Sequence, residues 1–193
     1  MPIPERIETT RLVLRRPARC DAEAIFSGWA SDPIATRYMS WLRHASLADS
    51  LAFIELSDRE WNEHPAGPYV IELRSMPRLI GSCGFTFGED GSAEVGYILA
   101  CTEWGRGHAT EALDAQVDAS ASSRIVLHAA VHPDNLASRH VLEKCGFACD
   151  DAHVLAPFPN LGDGCTERAV RYVRDAGSTA AGPTDVSSGR RKR

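Results

Sequence analysis

The chain has 193 residues, 44% of them hydrophobic and 24% charged, with a formal net charge of −5. These values fit one domain with a sizeable core plus a tail, and they argue against nucleic acid as the main partner, since phosphate binding wants a basic surface. No stretch approaches the roughly 20 apolar residues of a membrane helix, and no apolar run with a basic leader opens the chain, so a cytoplasmic protein without a membrane partner is expected.

In chain order, "RLVLRR" (Arg11–Arg16) predicts a short strand with Leu12 and Leu14 on one face. Asp21 is placed to cap a helix through "AEAIFSGWA", and a second helical pattern covers about Leu47–Glu63. "PYVIELR" (Pro68–Arg74) and "RLIGSCGFTF" (Arg78–Phe87) read as paired strands turned at "SMP", and "AEVGYIL" (Ala93–Leu99) as a third after the turn "EDG". A helix to roughly Ser120 follows, with the stripe Ala109, Leu113, Val117. "RIVLHAAV" (Arg124–Val131) is nearly continuous and β-branched, as a buried strand should be. "HPDNLASRHVLEKCGF" predicts a helix with Pro133 before it, Asp134 or Asn135 as its cap and Gly146 as its stop. Two last strands are predicted near Phe147–Leu155 and Thr166–Arg174. Residues 176–193 are rich in Gly, Ser, Ala and Thr and end "RRKR"; they cannot bury enough surface to fold and read as a disordered, basic-ended tail. Hairpins first and strand–helix alternation later make an α+β domain over residues 1–175.

"EWGRGHATEAL" (Glu103–Leu113) carries two glycines where a helix begins. The first N–H groups of a helix lack internal partners and sit at the positive end of its dipole. Gly105 and Gly107 let an anion approach them without a Cβ in the way, and Arg106 and His108 are available as positive charge. A tight connection using glycine for φ > 0 is the competing reading. The P-loop is excluded, because GxxxxGK[ST] is absent. The dinucleotide fingerprint fails at its third glycine, where Thr110 stands.

Placed after the strand "AEVGYIL", Trp104-Gly105-Arg106-Gly107-His108-Ala109 resembles the pyrophosphate loop Q/R-x-x-G-x-G/A of the GCN5-related N-acetyltransferases, Trp104 being a departure. "HPDNLASRHVLEKCGF" resembles that family's N-x-x-S segment with its K-x-G-F ending. "IETTRLVLRRP" resembles the opening of the subgroup of ribosomal-protein and spermidine acetyltransferases. The resemblance implies a central mixed, mostly antiparallel sheet of 6–7 strands flanked by about four helices, with a splayed V-shaped cleft. It implies direct transfer of acetyl from acetyl-CoA to a primary amine, either a protein N-terminus or a small molecule, in a ternary complex, and it leaves room for a homodimer. A non-catalytic acyl-CoA-binding module on the same fold is the alternative.

The resemblance also implies roles. Trp104, Gly105, Arg106, Gly107, His108, Ala109 and Thr110 would hold the pyrophosphate, and free backbone groups near Ile98, Leu99 and Ala100 of a bulged strand would pair with the pantetheine amides. Glu94 would be the general base, its competing reading a solvent-facing strand residue. The family's usual acid, a Tyr seven residues after the Asn, is Leu142 here, which leaves Ser138 as acid toward the sulfur. Asn135 would bind the cofactor or cap its helix, or do both. Tyr38, Met39 and Trp41 in "TRYMSWLRH" would line the acceptor side or cap the core, and His108 is available to phosphate or amine. His128 and His132 share a strand face without an apparent third ligand, and the six cysteines lack CxxC spacing; no metal is expected and Cys101 reads as a buried thiol.

Overall fold

The computed structural model describes residues 3–123, 125–162 and 165–174. The predicted tail lies outside the described residues, as does Arg124 at the start of its predicted strand. The strands are β1 (Arg6–Glu8), β2 (Leu12–Arg15), β3 (Tyr69–Leu73), β4 (Leu79–Phe87), β5 (Ala93–Leu99), β6 (Leu127–Val131), β7 (Ala148–Pro157) and β8 (Thr166–Arg174). The helices are α1 (Ala22–Ile25), α2 (Leu47–Glu63), α3 (His108–Ser120) and α4 (Leu136–Lys144). All eight strands form one open sheet in the order β1-β2-β3-β4-β5-β6-β8-β7, antiparallel except at β5–β6. This is the mixed sheet that was expected, with one strand more: three-residue β1 pairs with β2 and is too short to show a period.

The helices cover opposite faces. Val95 and Leu99 of β5 pack with Leu113 and Val117 of α3 and with Leu142 of α4. Ile98 and Val70 point the other way, into Ile25, Trp29 and Ile54 of the α1–α2 layer. The odd residues of β5 therefore serve one layer and the even ones the other, as strand alternation requires. Ala109, expected in the α3 stripe, is half-buried, while Ala112 and Gln116 are fully buried beside Leu113.

Two expectations need correction. Asp21 does not cap α1 with its side chain; its carboxylate takes a bidentate pair from Arg15 (2.8 and 2.9 Å) and the Ala18 N–H. Burial alone would raise its pKa, but the Arg15 fork and the Ala18 N–H together outweigh it and hold the carboxyl below the usual range. The helix predicted through Ala30 is α-helical only to Ile25 and continues as a π turn over Phe26–Ala30. Ser31 Oγ, donating to Phe26 O, closes that turn.

The feature that builds a site is the parting of β5 and β6. They pair at Ala93–Leu127 and Glu94–His128 and nowhere further. Beyond Glu94 the strands diverge, which opens a V at the middle of the sheet. The register of β5 with β4 runs from Phe87–Ala93 to Gly81–Leu99 without a shift, so the splay comes without the bulge that the resemblance implied.

Candidate active site

Two cavities meet at the V. The first, about 620 Å³, lies between β5, the loop before α3, and α4. The second, about 550 Å³, lies under α1, α2 and the loop after α1. Met39, Tyr97 and Ile98 line both.

At the first cavity, Gly105 (φ +73°) and Gly107 (φ +78°) take left-handed backbone, which glycine adopts without the cost of a side chain. Gly107 is the N-cap of α3 and no side chain caps it. The first bond back into the helix is from Glu111 N–H to Gly107 O, so the N–H groups of His108, Ala109 and Thr110 have no intrahelical acceptor. The space where a Gly105 Cβ would stand is open for 4 Å. This bare cradle fits a pyrophosphate.

Side chains that the sequence reading passed over hold the cradle. Arg11 Nη1 donates to Arg106 O (2.8 Å) and Arg11 Nε to Glu111 Oε2 (2.6 Å). Thr9 Oγ1 and the Arg11 N–H both donate to Glu111 Oε1. Glu111 thereby pins the first turn of α3 to the β1–β2 hairpin; burial would raise its pKa, but the bonds from Thr9 and Arg11 outweigh burial and keep it low. The signal was present, since Thr9 and Arg11 lie in the opening segment quoted for the resemblance, but nothing local connects them to Glu111.

His108 does not supply charge to this site. Its ring is buried, and desolvation, with Arg11 behind it, lowers its pKa so that it stays neutral. Its Nδ1 stands 3.4 Å from Glu103 Oε2, and both atoms lack a hydrogen bond among the described residues. Glu103 is itself buried; against the cost of desolvation, a 2.7 Å bond from Arg78 keeps its pKa low. Arg106 is not part of the cavity wall and its side chain is 61% exposed.

The backbone of β5 also needs a correction. Ala100 N–H is not free; it donates to Ile80 O. Since Ala93 N–H donates the opposite way, to Val126 O, alternation sends the peptide groups of Ile98 and Ala100 toward β4 and those of Val95, Tyr97 and Leu99 toward the V. The Leu99 carbonyl is occupied by Trp104 Nε1 at 3.0 Å, which gives the departing Trp a local task. The Leu99 N–H remains on the open side. A Cβ at Gly81 would collide with the Ile98 carbonyl oxygen, so glycine is needed for that carbonyl to turn as it does.

Asn135 Oδ1 accepts from Ser138 N–H (3.2 Å), making Asn135 the N-cap of α4 at the cavity wall. Ser138 Oγ lies 2.8 Å from Tyr97 Oη, and the phenol also approaches Ser138 O at 3.0 Å. Burial pushes the Tyr97 phenol well above its usual range, with the Ser138 contact opposing, so it stays protonated. Leu142 is fully buried in the core and cannot reach the cleft. Tyr97 is thus the tyrosine in contact with Ser138, reached from the strand rather than from the helix.

Glu94 lines the second cavity, with its side chain 45% exposed and 3.9 Å from His128 Nε2. Trp41 lines the same cavity and Met39 the junction; Tyr38 instead faces the first cavity, stacked on His132 at 4.8 Å between centroids. His132 is committed, with Nε2 3.0 Å from Glu167 and Nδ1 accepting from the Asp134 N–H. Cys101, expected as a buried thiol, is half-buried; desolvation and Asp32 raise the pKa of its thiol, which keeps it protonated. Among the described residues no helix is long and apolar enough to cross a membrane.

Residues 11–148 match the family model for the acetyltransferase (GNAT) domain. The chain is 31% identical to the uncharacterized N-acetyltransferase p20 of Bacillus licheniformis over 147 residues, 74% of this chain and 82% of that protein. Among solved structures it is similar to the microcin C7 self immunity acetyltransferase MccE in complex with acetyl-CoA and AMP, with a TM-score of 0.72 and 20% identity over 86% of this chain and 93% of that one. It is also similar to RimL, a ribosomal L7/L12 alpha-N-protein acetyltransferase, in complex with coenzyme A, with a TM-score of 0.74 and 18% identity over 90% of this chain and 97% of that one.

Proposed function

The chain belongs to the GNAT acetyltransferase family, and on that premise we propose that it moves the acetyl group of acetyl-CoA directly to a primary amine in a ternary complex. The observation that carries the reading is the meeting of two cavities at Tyr97 and Ile98, with an anion cradle on one side and a carboxylate on the other. The cradle at Gly105–Thr110 would take the pyrophosphate, and acetyl-CoA supplies the activated thioester. The pantetheine amides would pair with the open edge of β5, where the Leu99 N–H also stands ready to bind the thioester oxygen as it gains charge.

From the other side the amine approaches over Glu94. Its nitrogen needs a free lone pair, and Glu94, directly or through a water, takes the proton. The nitrogen bonds to the carbonyl carbon, the tetrahedral centre collapses, and the C–S bond breaks. Ser138 Oγ gives the departing sulfur a hydrogen bond and its proton, which solvent restores. Tyr97 keeps that hydroxyl aimed. Both substrates are held at once, so no acyl-enzyme is required, consistent with the protonated state of Cys101.

Release of CoA thiol with a panel of amines tests this. Glu94→Gln and Ser138→Ala are each expected to lower kcat by about tenfold or more. Unchanged rates in both variants would remove the mechanism. The absence of a tyrosine at position 142 favours a second reading, a non-catalytic acyl-CoA-binding module. Calorimetric binding of CoA with no transfer to any amine would select it.

A further inference from the structure

The second cavity has a composition that restricts its occupant. Its floor is the β4–β5 pair, and at its middle Gly84 stands opposite Gly96, between Glu94–Thr86 on one side and Ile98–Ser82 on the other. No atom lies within 4 Å of where a Gly96 Cβ would be, whereas a Gly84 Cβ would meet the Pro68 backbone at 2.8 Å, so the floor is open at Gly96 and closed by Pro68 at Gly84. The roof is apolar: Met39, Trp41, Phe53 and Leu56 line it, and Leu56 is 43% exposed. Apolar and aromatic side chains on one wall and the open floor at Gly96 on the other leave room for a flat apolar group.

The charges agree. Besides Glu94, the cavity is lined by one other carboxylate, Asp49, whose Oδ2 accepts from the Ala45 and Ser46 N–H groups, both at 2.8 Å, and from Ser46 Oγ, bonds that hold it ionised. His44 on the same wall is held neutral by burial, Asp49 opposing. Arg59 adds a positive charge at the rim. With Glu94 and Asp49 ionised, Arg59 positive and His44 neutral, the charged lining balances a single cation; a polyamine or a basic peptide would bring several, and would lay hydrated groups against tryptophan and leucine.

We infer that the acceptor is a monocationic primary amine carried on a flat apolar body, its nitrogen over Glu94 and its ring or chain in the slot between Gly96 and Trp41. The inference rests on the acetyltransferase reading above and names the substrate class of that site. The net charge of −5 leaves a cationic amine or a basic peptide equally favoured; the cavity separates them.

The test compares 2-phenylethylamine and tryptamine with spermidine and a lysine-rich hexapeptide, using the full chain and CoA-thiol release. The aryl amines are expected to show kcat/KM at least about tenfold above the polycations. Gly96→Val fills the slot at a position where a strand side chain meets no atom. It should raise KM for the aryl amine about tenfold or more and leave acetyl-CoA affinity unchanged. Preference for spermidine or the peptide would overturn the inference, as would an unchanged acceptor KM in Gly96→Val. Bound acetyl-CoA with no amine acetylated by the unaltered protein would instead overturn the parent reading, and this inference with it.

Discussion

Tyr97 has one phenolic proton and two acceptors in reach on Ser138, the backbone oxygen at 3.0 Å and Oγ at 2.8 Å. If the proton goes to the backbone oxygen, Ser138 must donate to Tyr97 and its own proton points away from the cleft. If it goes to Oγ, the Ser138 proton is free for the sulfur. Tyr97 is therefore a positioning residue, and because burial keeps it protonated it can serve this way across the working pH range. Tyr97→Phe is expected to lower kcat about fivefold to tenfold with little change in KM for acetyl-CoA, and the Tyr97→Phe, Ser138→Ala double variant should be no slower than Ser138→Ala alone. Additive losses would show that the phenol acts independently of Ser138. A second prediction at this scale concerns Gly107 at φ +78°. Gly107→Ala should weaken acetyl-CoA binding by about fivefold to thirtyfold, the equivalent of roughly 1–2 kcal/mol of left-handed strain, read by calorimetry.

At the scale of elements, the loop from Asp32 to Ser46 forms part of the wall of both cavities and has no helix or strand of its own. One side chain from the β7–β8 connection straps it down. Asn160 Nδ2 donates to Thr36 O (2.9 Å) and Trp41 O (2.8 Å), while Oδ1 accepts from the Arg43 N–H (2.9 Å). Asn160→Asp removes both donors and sets a carboxylate against two carbonyl oxygens. The expected result is a severalfold rise in acceptor KM with unchanged acetyl-CoA affinity, since each lost bond is worth about 1 kcal/mol and the cradle is elsewhere; an unchanged acceptor KM would free the loop from this control. Helix α2 and strands β5 and β8 were legible to the residue, because long periodic runs with clear turns carry their own boundaries. The strap was not legible: its partners are 117 to 124 residues away, and a loop has no period to say which side chains face which cavity. That is also why Tyr38 and Trp41 were read as one group although they face different cavities.

At the scale of the molecule, the glycine loop and the Asn135–Ser138 segment were readable because each motif is contiguous. How they are held was not, since Glu111 meets Arg11 and Tyr97 meets Ser138 across long stretches of chain. Those long-range ties are titratable, and they set how the fold responds to acid. Burial lowers the pKa of His108 and of His44 from about 6.5. Below that value the unfolded chain binds protons that the folded chain refuses, so the stability they contribute is present above about pH 6.5 and is lost as pH falls through it. The loss is at most about 1.4 kcal/mol per pH unit for each histidine. Glu103 and Glu111, both held below the usual carboxylate range by their arginine partners against the opposing effect of burial, add a second loss that starts only as pH approaches about 4.5. Thermal unfolding should therefore show a first fall in Tm of about 2–5 °C between roughly pH 7.5 and 5.5, and a steeper one below about pH 4.5. His108→Gln should flatten the first limb by about half and leave the second in place, because the glutamine cannot take up the proton. A Tm that holds steady from pH 7.5 to about 5.5 in the unaltered chain would mean that neither ring is kept neutral by the fold.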